Sequence, residues 1–187
     1  MASEGPNSPS SVVNSGSGLS WTSPGNATSS NGADSTAETE SDTTKKLLAT
    51  DFGFSIPTGA TIDGIVVEVE QASDEGCVDD VASIVKGGVL VGTDKAKPGN
   101  WPASDTYVSY GTYQTDLWGV TWNDSQINAS DFGFAISVDL GGDPAKAYVD
   151  HIRITVHYTT ASKGTGNPPV YGPVSGGPTK KVVVVCP

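Results

Sequence analysis

The phrase Asp-Phe-Gly-Phe-x-Ile occurs twice in this chain, at positions 51–56 and 131–136. In both copies apolar residues alternate with small or polar ones, which is the period of a β-strand that buries one face. The copies lie 80 positions apart (131 minus 51), which indicates two strands in equivalent places of a two-sheet sandwich. Asp-Phe-Gly also belongs to the protein-kinase signature, but the sequence lacks the accompanying His-Arg-Asp loop and Val-Ala-Ile-Lys strand. The repeat therefore predicts architecture rather than catalysis.

Other segments share this period. Residues 62–71 place Ile65, Val67 and Val69 on one face and acidic residues on the other. No segment keeps a helical period over several turns, and Gly and Pro separate the short apolar runs. The sequence thus predicts an all-β fold, an antiparallel, jelly-roll-like β-sandwich. In its last strand, residues 147–158, the side chains expected to point inward are Ile152, Ile154, Val156 and Tyr158.

Composition divides the chain into three segments. Residues 1–44 are rich in Ser, Gly, Asn and Thr and predict an extended N-terminal arm or loop-rich lead-in. Residues 45–160 hold most of the Val, Ile and Phe and predict the sandwich core. Residues 161–187 predict a Pro- and Gly-rich linker and a C-terminal tail, in which four consecutive valines favour a strand. We expect this tail either to complete a sheet, in its own domain or in a neighbouring subunit, or to remain disordered. The expected partner-contact residues are Trp21 in the arm and Tyr171, Val182, Val183, Val184 and Val185 in the tail.

The chain is acidic, with a net charge of −11 and a pI near 4.3. Nucleic-acid binding needs a basic surface, so this balance argues against a nucleic-acid partner. No apolar run reaches transmembrane length, which argues against a membrane partner. Residues 1–5 carry no basic residue and no apolar run follows them, so we expect synthesis and folding in a cytoplasm.

The sequence predicts no catalytic, cofactor or metal site. The acidic residues between 74 and 80 could hold Ca²⁺ but lack the spacing of a calcium loop, which favours a solvated surface. His151 and His157 share one strand face at about 20 Å, too far apart to bind one metal. Cys77 and Cys186 are either free thiols or one disulfide. No Gly-x-Ser-x-Gly elbow is present for a serine nucleophile.

Aromatic residues concentrate between positions 101 and 122. Exposed Trp and Tyr rings form platforms on which sugars stack, because each ring combines a large apolar face with a polar edge. The other interpretation is that these rings plug the ends of the sandwich or an inter-subunit contact, and the sequence favours it. The candidate glycan platform consists of Trp101, Trp118 and Trp122.

Several phrases together resemble a β-sandwich domain of virion structural proteins from tailed bacteriophages and prophages. They are Phe-Gly-Phe-Ser-Ile-Pro at 52–57, Gly-Ala-Thr-Ile-x-Gly-Ile at 59–65, Val-Lys-Gly-Gly at 85–88, Asp-Leu-Trp-Gly at 116–119, the second Phe-Gly-Phe strand and Val-Asp-His-Ile at 149–152. The resemblance covers about residues 45–158. A part of it, with Trp122 after Val-Thr, is also similar to jelly-roll carbohydrate-binding modules of secreted bacterial proteins.

The first resemblance implies a non-enzymatic virion protein, such as a capsid decoration (cement) protein or a tail-associated component assembled in the host cytoplasm. Its expected partners are further copies of itself, in a homotrimer or another symmetric homo-oligomer, and the major capsid protein or another virion protein. The second resemblance implies glycan binding, by an adhesion module of a tail fibre, a tailspike or a bacterial surface protein.

Overall fold

The computed structural model describes residues 1–39, 42–111, 113–141 and 145–161. Over these residues the chain is almost entirely β-structure. Its short helices are a single α-turn, α1 (Asp124–Ile127), and 3-10 turns at Pro24–Ala27 and Tyr113–Thr115. The strands are β1 (Ala2–Asn7), β2 (Ser11–Ser15), β3 (Ser35–Thr39), β4 (Asp42–Thr43), β5 (Lys46–Thr50), β6 (Thr61–Ser73), β7 (Val78–Lys86), β8 (Val89–Val91), β9 (Thr106–Tyr110), β10 (Gly133–Leu140) and β11 (Ala145–Thr159).

The strands form two antiparallel sheets that pack face to face. Sheet A has the order β1-β11-β6-β9, with β3 also paired to β11. Sheet B has the order β2-β5-β10-β7-β8, with β4 also paired to β10. Every strand pair is antiparallel, from the long β6–β11 ladder to the short β7–β8 hairpin. This architecture confirms the predicted all-β sandwich.

The core lies between the sheets and is built by alternation along the strands. Ile65, Val67 and Val69 of β6 are fully buried, as their period predicts. On β11, Ile152 and Ile154 are equally buried and face the same interior. Burying a side chain of this size contributes about 1.5–3 kcal/mol, so these two strands supply much of the apolar stabilisation of sheet A.

The two copies of the repeated phrase lie side by side but differ in structure. The second copy leads into β10, whereas residues 51–57 are extended and make no strand ladder. The reason is that β5 ends at Thr50, which pairs with Gly133, and the chain then leaves the sheet at Asp51 with a φ of 60°. Alternate burial survives there because the ring of Phe52 packs on Phe132, with centroids 6.5 Å apart.

Residues 1–44 do not form a separate arm, which corrects the interpretation based on composition. β1 extends sheet A by pairing with β11, and β2 extends sheet B by pairing with β5. Trp21 is 2% exposed, and its indole Nε1 donates to the carbonyl of Lys45 at 2.7 Å. The composition suggested an arm because the interior positions of this segment are occupied by small residues such as Ala27 and Ala37. The sandwich therefore starts at β1, and Trp21 is a core residue.

The described part of the chain ends at residue 161, just after the last strand. β11 ends at Thr159, and residues 162–187 lie outside the described part of the chain. The predicted contacts at Tyr171, Val182, Val183, Val184 and Val185 therefore lie outside it as well.

Replacing Trp21 with Ala tests whether the N-terminal segment is part of the core. We expect the free energy of unfolding to fall by about 3–5 kcal/mol, the usual cost of removing a buried aromatic ring. Urea denaturation followed by circular dichroism measures this value. Val13→Ala is the matched control on β2, because Val13 is 47% exposed and should change stability little. A Trp21→Ala variant as stable as this control would contradict the structure.

Candidate functional site

The three tryptophans of the candidate glycan platform lie in or against the core. Trp118 has no exposed surface, and its indole Nε1 donates to the carbonyl of Ile65 at 2.9 Å. Trp101 is 5% exposed. Trp122 is partly buried, with its ring edge-on to Phe132 and the ammonium of Lys86 5.1 Å from its centroid. Trp101 and Trp118 are too buried to offer a ring face to a sugar, and the Lys86 ammonium lies over the ring of the partly buried Trp122.

A half-buried carboxylate organises the aromatic segment. Asp79 accepts hydrogen bonds from the Trp101 indole at 2.6 Å, the Tyr110 hydroxyl at 3.0 Å and the Lys97 backbone N–H at 2.9 Å. Burial raises the pKa of Asp79 above its ordinary value, and these three donors oppose the rise. The same burial, together with the Asp79 charge, raises the pKa of Tyr110. These groups hold the loop of residues 94–102 against β7, which is a structural role.

The outer face of sheet A carries a polar cluster around a histidine. His151 of β11 is 7% exposed and lies between two hydroxyls. The Ser8 hydroxyl is 2.9 Å from its Nε2, and the Tyr107 hydroxyl from β9 is 2.9 Å from its Nδ1. Arg153 stacks on the Tyr107 ring at 3.7 Å and donates to the Glu68 carboxylate of β6 at 2.9 Å. Strands β11, β6 and β9 therefore all contribute to this polar cluster.

A β-bulge places the cluster. In the β6–β11 ladder Val149 pairs with Gln71 and His151 pairs with Glu70, so Asp150 is an extra residue on β11. The Asp150 carboxylate accepts hydrogen bonds from the backbone N–H of Asn31 at 3.0 Å and from that of Gly32 at 3.1 Å. The bulge thus anchors the loop before β3 over the outer face of sheet A and covers His151.

Beside this loop the surface forms an acidic cavity of about 270 Å³. Asp34, Asp74, Asp105 and Tyr148 contribute its polar groups. The Tyr148 hydroxyl donates to Asp74 at 2.7 Å, which raises the pKa of Tyr148 to about 12. The Lys146 ammonium lies 5.3 Å from the centre of the Tyr148 ring, so this ring is not a free stacking surface either.

The carboxylates around the cavity repel one another. The pKa of Asp34 is raised by burial first and then by the charges of Asp105, Asp150 and Glu70. The pKa of Asp105 is also raised, by burial and by the charges of Asp150 and Glu70. One oxygen of Asp34 and one of Glu70 are buried without a hydrogen-bond partner among the described residues. The cavity therefore favours a positively charged group over a negative one.

The described residues do not assemble a metal centre or a catalytic triad. Nowhere in the described ranges do three or more His, Cys, Asp or Glu side chains converge as metal ligands would. Ser8 and His151 are at hydrogen-bond distance, but the group that orients the histidine is the phenol of Tyr107 rather than a carboxylate. Within the described ranges, no helix has the length and hydropathy to cross a membrane.

Of the two cysteines, only Cys77 lies in the described part of the chain. Cys77 is completely buried, and burial raises the pKa of its thiol, so it is a weak nucleophile. Cys186, its proposed disulfide partner, lies outside the described residues.

Sequence reasoning missed most of the polar cluster and of the acidic cavity. His151 was expected on an outward, polar face, and it lies on that face but beneath a loop. Tyr107, Asp34 and Asp105 were not singled out, because they meet only in three dimensions. One signal was readable: the buried positions of β11 are odd-numbered up to Val149 and even-numbered from Ile152, a change of parity that requires an extra residue between them.

The cluster predicts a pH dependence of stability. Burial and the Arg153 charge lower the pKa of His151 below its ordinary 6.5, so the unfolded chain takes up its proton first as the pH falls. The stabilisation from neutral His151 is therefore present above pH 6.5 and is lost as the pH falls through that value towards the lowered pKa. Asp34 and Asp105 have raised pKa values and act in the opposite direction at lower pH.

We expect wild-type protein to lose more stability between pH 7.5 and 5.5 than the His151→Gln variant, because only the wild type carries this proton uptake. Urea unfolding at both pH values measures the difference. Equal losses in the two proteins would mean that His151 titrates normally in the folded state.

Asp79 also gives a test of the interior. Asp79→Ala leaves the Trp101 indole N–H and the Lys97 N–H without their acceptor and removes one acceptor of the Tyr110 hydroxyl. We expect unfolding to become easier by about 2–4 kcal/mol, the cost of leaving one or two buried donors unsatisfied. Asp131→Ala is the control, because Asp131 is exposed and should change stability by less than half as much. Equal effects would show that the buried network contributes little.

Comparisons with known proteins do not add to this description. No protein-family model matches the chain, and neither the curated proteins nor the solved structures contain a match. The functional argument therefore depends on the chain's own residues: an acidic sandwich with a polar cluster and an acidic cavity on sheet A, followed by a tail of different composition.

Proposed function

We propose that this chain is a non-enzymatic structural protein of a tailed-bacteriophage virion, a capsid decoration protein that stabilises the head through its tail. The observation that carries the proposal is the separation of charge along the sequence. Residues 162–187 contain three of the ten basic residues, Lys163, Lys180 and Lys181, and none of the 21 acidic ones. With a total of −11, residues 1–161 therefore carry −14, which is −11 minus +3.

This arrangement suits a protein that binds to a repeated surface. A pre-formed sandwich needs no rearrangement on binding, so its own ordering adds no entropy cost to each contact. A tail with Lys180, Lys181 and the four valines that follow them combines positive charge with strong strand propensity, and such a segment adds readily to the edge of a sheet in a partner. Many copies in a symmetric array then raise the overall affinity, because each linked contact increases the effective concentration of the next.

The β7–β8 hairpin offers a further contact. Val89 is 61% exposed and Leu90 is 40% exposed, at consecutive positions of the edge strand β8, so their side chains point to opposite faces of sheet B. An edge strand with exposed apolar side chains offers its backbone to a strand of a partner. A capsid protein or a second copy of this chain are the partners that the proposal implies there.

Glycan binding remains the alternative function, but its residues lose support. Trp101 and Trp118 are buried, and Trp122 is partly buried with the Lys86 ammonium over its ring. A glycan site would need a ring with a free face. A glycan-array signal that disappears in the Trp122→Ala variant would favour this alternative.

Purified particles from the source of the sequence test the proposal. We expect mass spectrometry to find the chain in a fixed ratio to the major capsid protein, and cryo-electron microscopy to show its sandwich on the outside of the head. A chain ending at Ala161, added to particles that lack the protein, should bind at least tenfold more weakly than the full chain, because it loses the tail contacts. Absence of the protein from the particles would contradict the proposed function, whereas undiminished binding of the shortened chain would contradict only the role of the tail.

A further inference from the structure

The outer strands of the two sheets differ in how well they could accept another strand. β1 is a poor acceptor of a further strand, because Pro6 has no backbone N–H and the register with β11 is irregular between Glu4 and Asn7. β2 lies next to the basic side of β5, where Ser15 pairs with Lys46. β8 has only three residues and pairs with Lys86 at its first position. These three edges are short, interrupted or close to positive charge.

Of the outer strands that remain, β3 already pairs through Thr36 with Thr22, whereas β9 is regular. Carboxylates lie at the start of β9, and two cations lie further along it, Arg153 over the Tyr107 ring and Lys97 over the Tyr110 ring. The five residues of β9 pair with β6 alone among the described strands, which leaves its other edge unpaired. Asp105 is exposed and immediately precedes the strand. Glu68 and Glu70 of β6 stand opposite Ser109 and Tyr107 of β9. One Glu70 oxygen is buried without a hydrogen-bond partner among the described residues, and the acidic cavity opens at the start of the same strand.

The sequence contains one segment that matches this edge in charge and in length. Lys180 and Lys181 are followed by the four valines at 182–185, against a strand of five residues. If the two lysines lie beside Asp105 and the cavity, the valines run alongside residues 106–109 in the same direction as β9. Parallel pairing of this kind satisfies backbone groups of the free edge, and the lysines meet the carboxylates of Asp105 and of the acidic cavity.

The connecting segment has a suitable length to reach the edge of β9 in its own chain. β11 ends at Thr159 opposite Thr61, whereas β9 begins at Thr106 opposite Gln71. These ten steps along β6 correspond to about 33 Å. Twenty residues, 160–179, connect the two points, and a random coil of that length has a root-mean-square span of about 25 Å and a contour well above 33 Å. The span and the linker therefore match closely enough for a high effective concentration within one molecule.

We propose that the free edge of β9 is the docking site for residues 180–185 of the same chain. The lysines bind at Asp105 and the acidic cavity, and the valines extend sheet A as a sixth strand. This inference does not depend on the proposed function. It states which surface the tail covers in the isolated protein, and therefore which contact any external partner of the tail must displace.

Amide hydrogen exchange on the full chain tests the proposal, with β9 amides as the readout. Lys180→Glu/Lys181→Glu should speed exchange of the amides at 106–110 by about fivefold, the factor expected from two solvent-exposed ion pairs. Val183→Pro, which removes a backbone donor from the tail without changing its charge, should speed the same amides. The β6–β11 amides should exchange at the same rate in all variants and thus show that the sandwich is intact.

A charge swap makes the test specific to the proposed contact. Asp105→Lys alone and Lys181→Glu alone should each speed exchange at β9, and combining them in one chain should restore most of the protection. Asp131→Lys is the control, because it reverses an exposed acid next to sheet B and should leave β9 unchanged. β9 rates that are the same in wild type and in the tail variants would overturn the proposal. Protection that disappears on twentyfold dilution would also overturn it, because the tail would then bind a second copy.

Discussion

Strand β11 is the element on which the rest of the structure depends. It pairs with β6 along most of its length and with β1 and β3 on its other side, so it joins the N-terminal segment to the core. Its inward side chains fill the interior, and its outward ones carry the polar cluster. Both functions require the bulge at Asp150, because a strand without an extra residue would turn either Val149 or Ile152 away from the core. Fold and site are thus fixed by the same local irregularity.

Much of the fold follows from alternation in the sequence, because burial on one face of a strand imposes a period of two whatever the partner strand is. This is why the inward faces of β6, β10 and β11 were predicted correctly. The N-terminal segment was not, because its strands are held by backbone pairing and small side chains, and neither leaves an apolar pattern. Trp21 was the one indication in the sequence that this segment belongs to the core, because a large aromatic ring in a polar segment is usually buried.

The candidate site was less predictable than the fold for a different reason. His151, Tyr107 and Asp34 come from distant parts of the sequence and meet only through strand order, which periodicity does not determine. The tryptophans are close in sequence but do not form one site. Their clustering in sequence suggested a shared surface, yet each fills a separate gap in the interior or at its rim. The proposed function depends instead on the opposite net charges of residues 1–161 and 162–187, which can be read from the sequence alone.

We expect the sandwich to unfold as one cooperative unit that begins at β1. Native-state amide exchange measured by NMR tests this most directly. We expect the amides of β1 and β3 that pair with β11 to exchange as slowly as those of the β6–β11 ladder. All of them should exchange only when the whole domain unfolds. Fast exchange throughout residues 2–39, with β6 and β11 still protected, would contradict it and would show that the N-terminal segment is an arm after all.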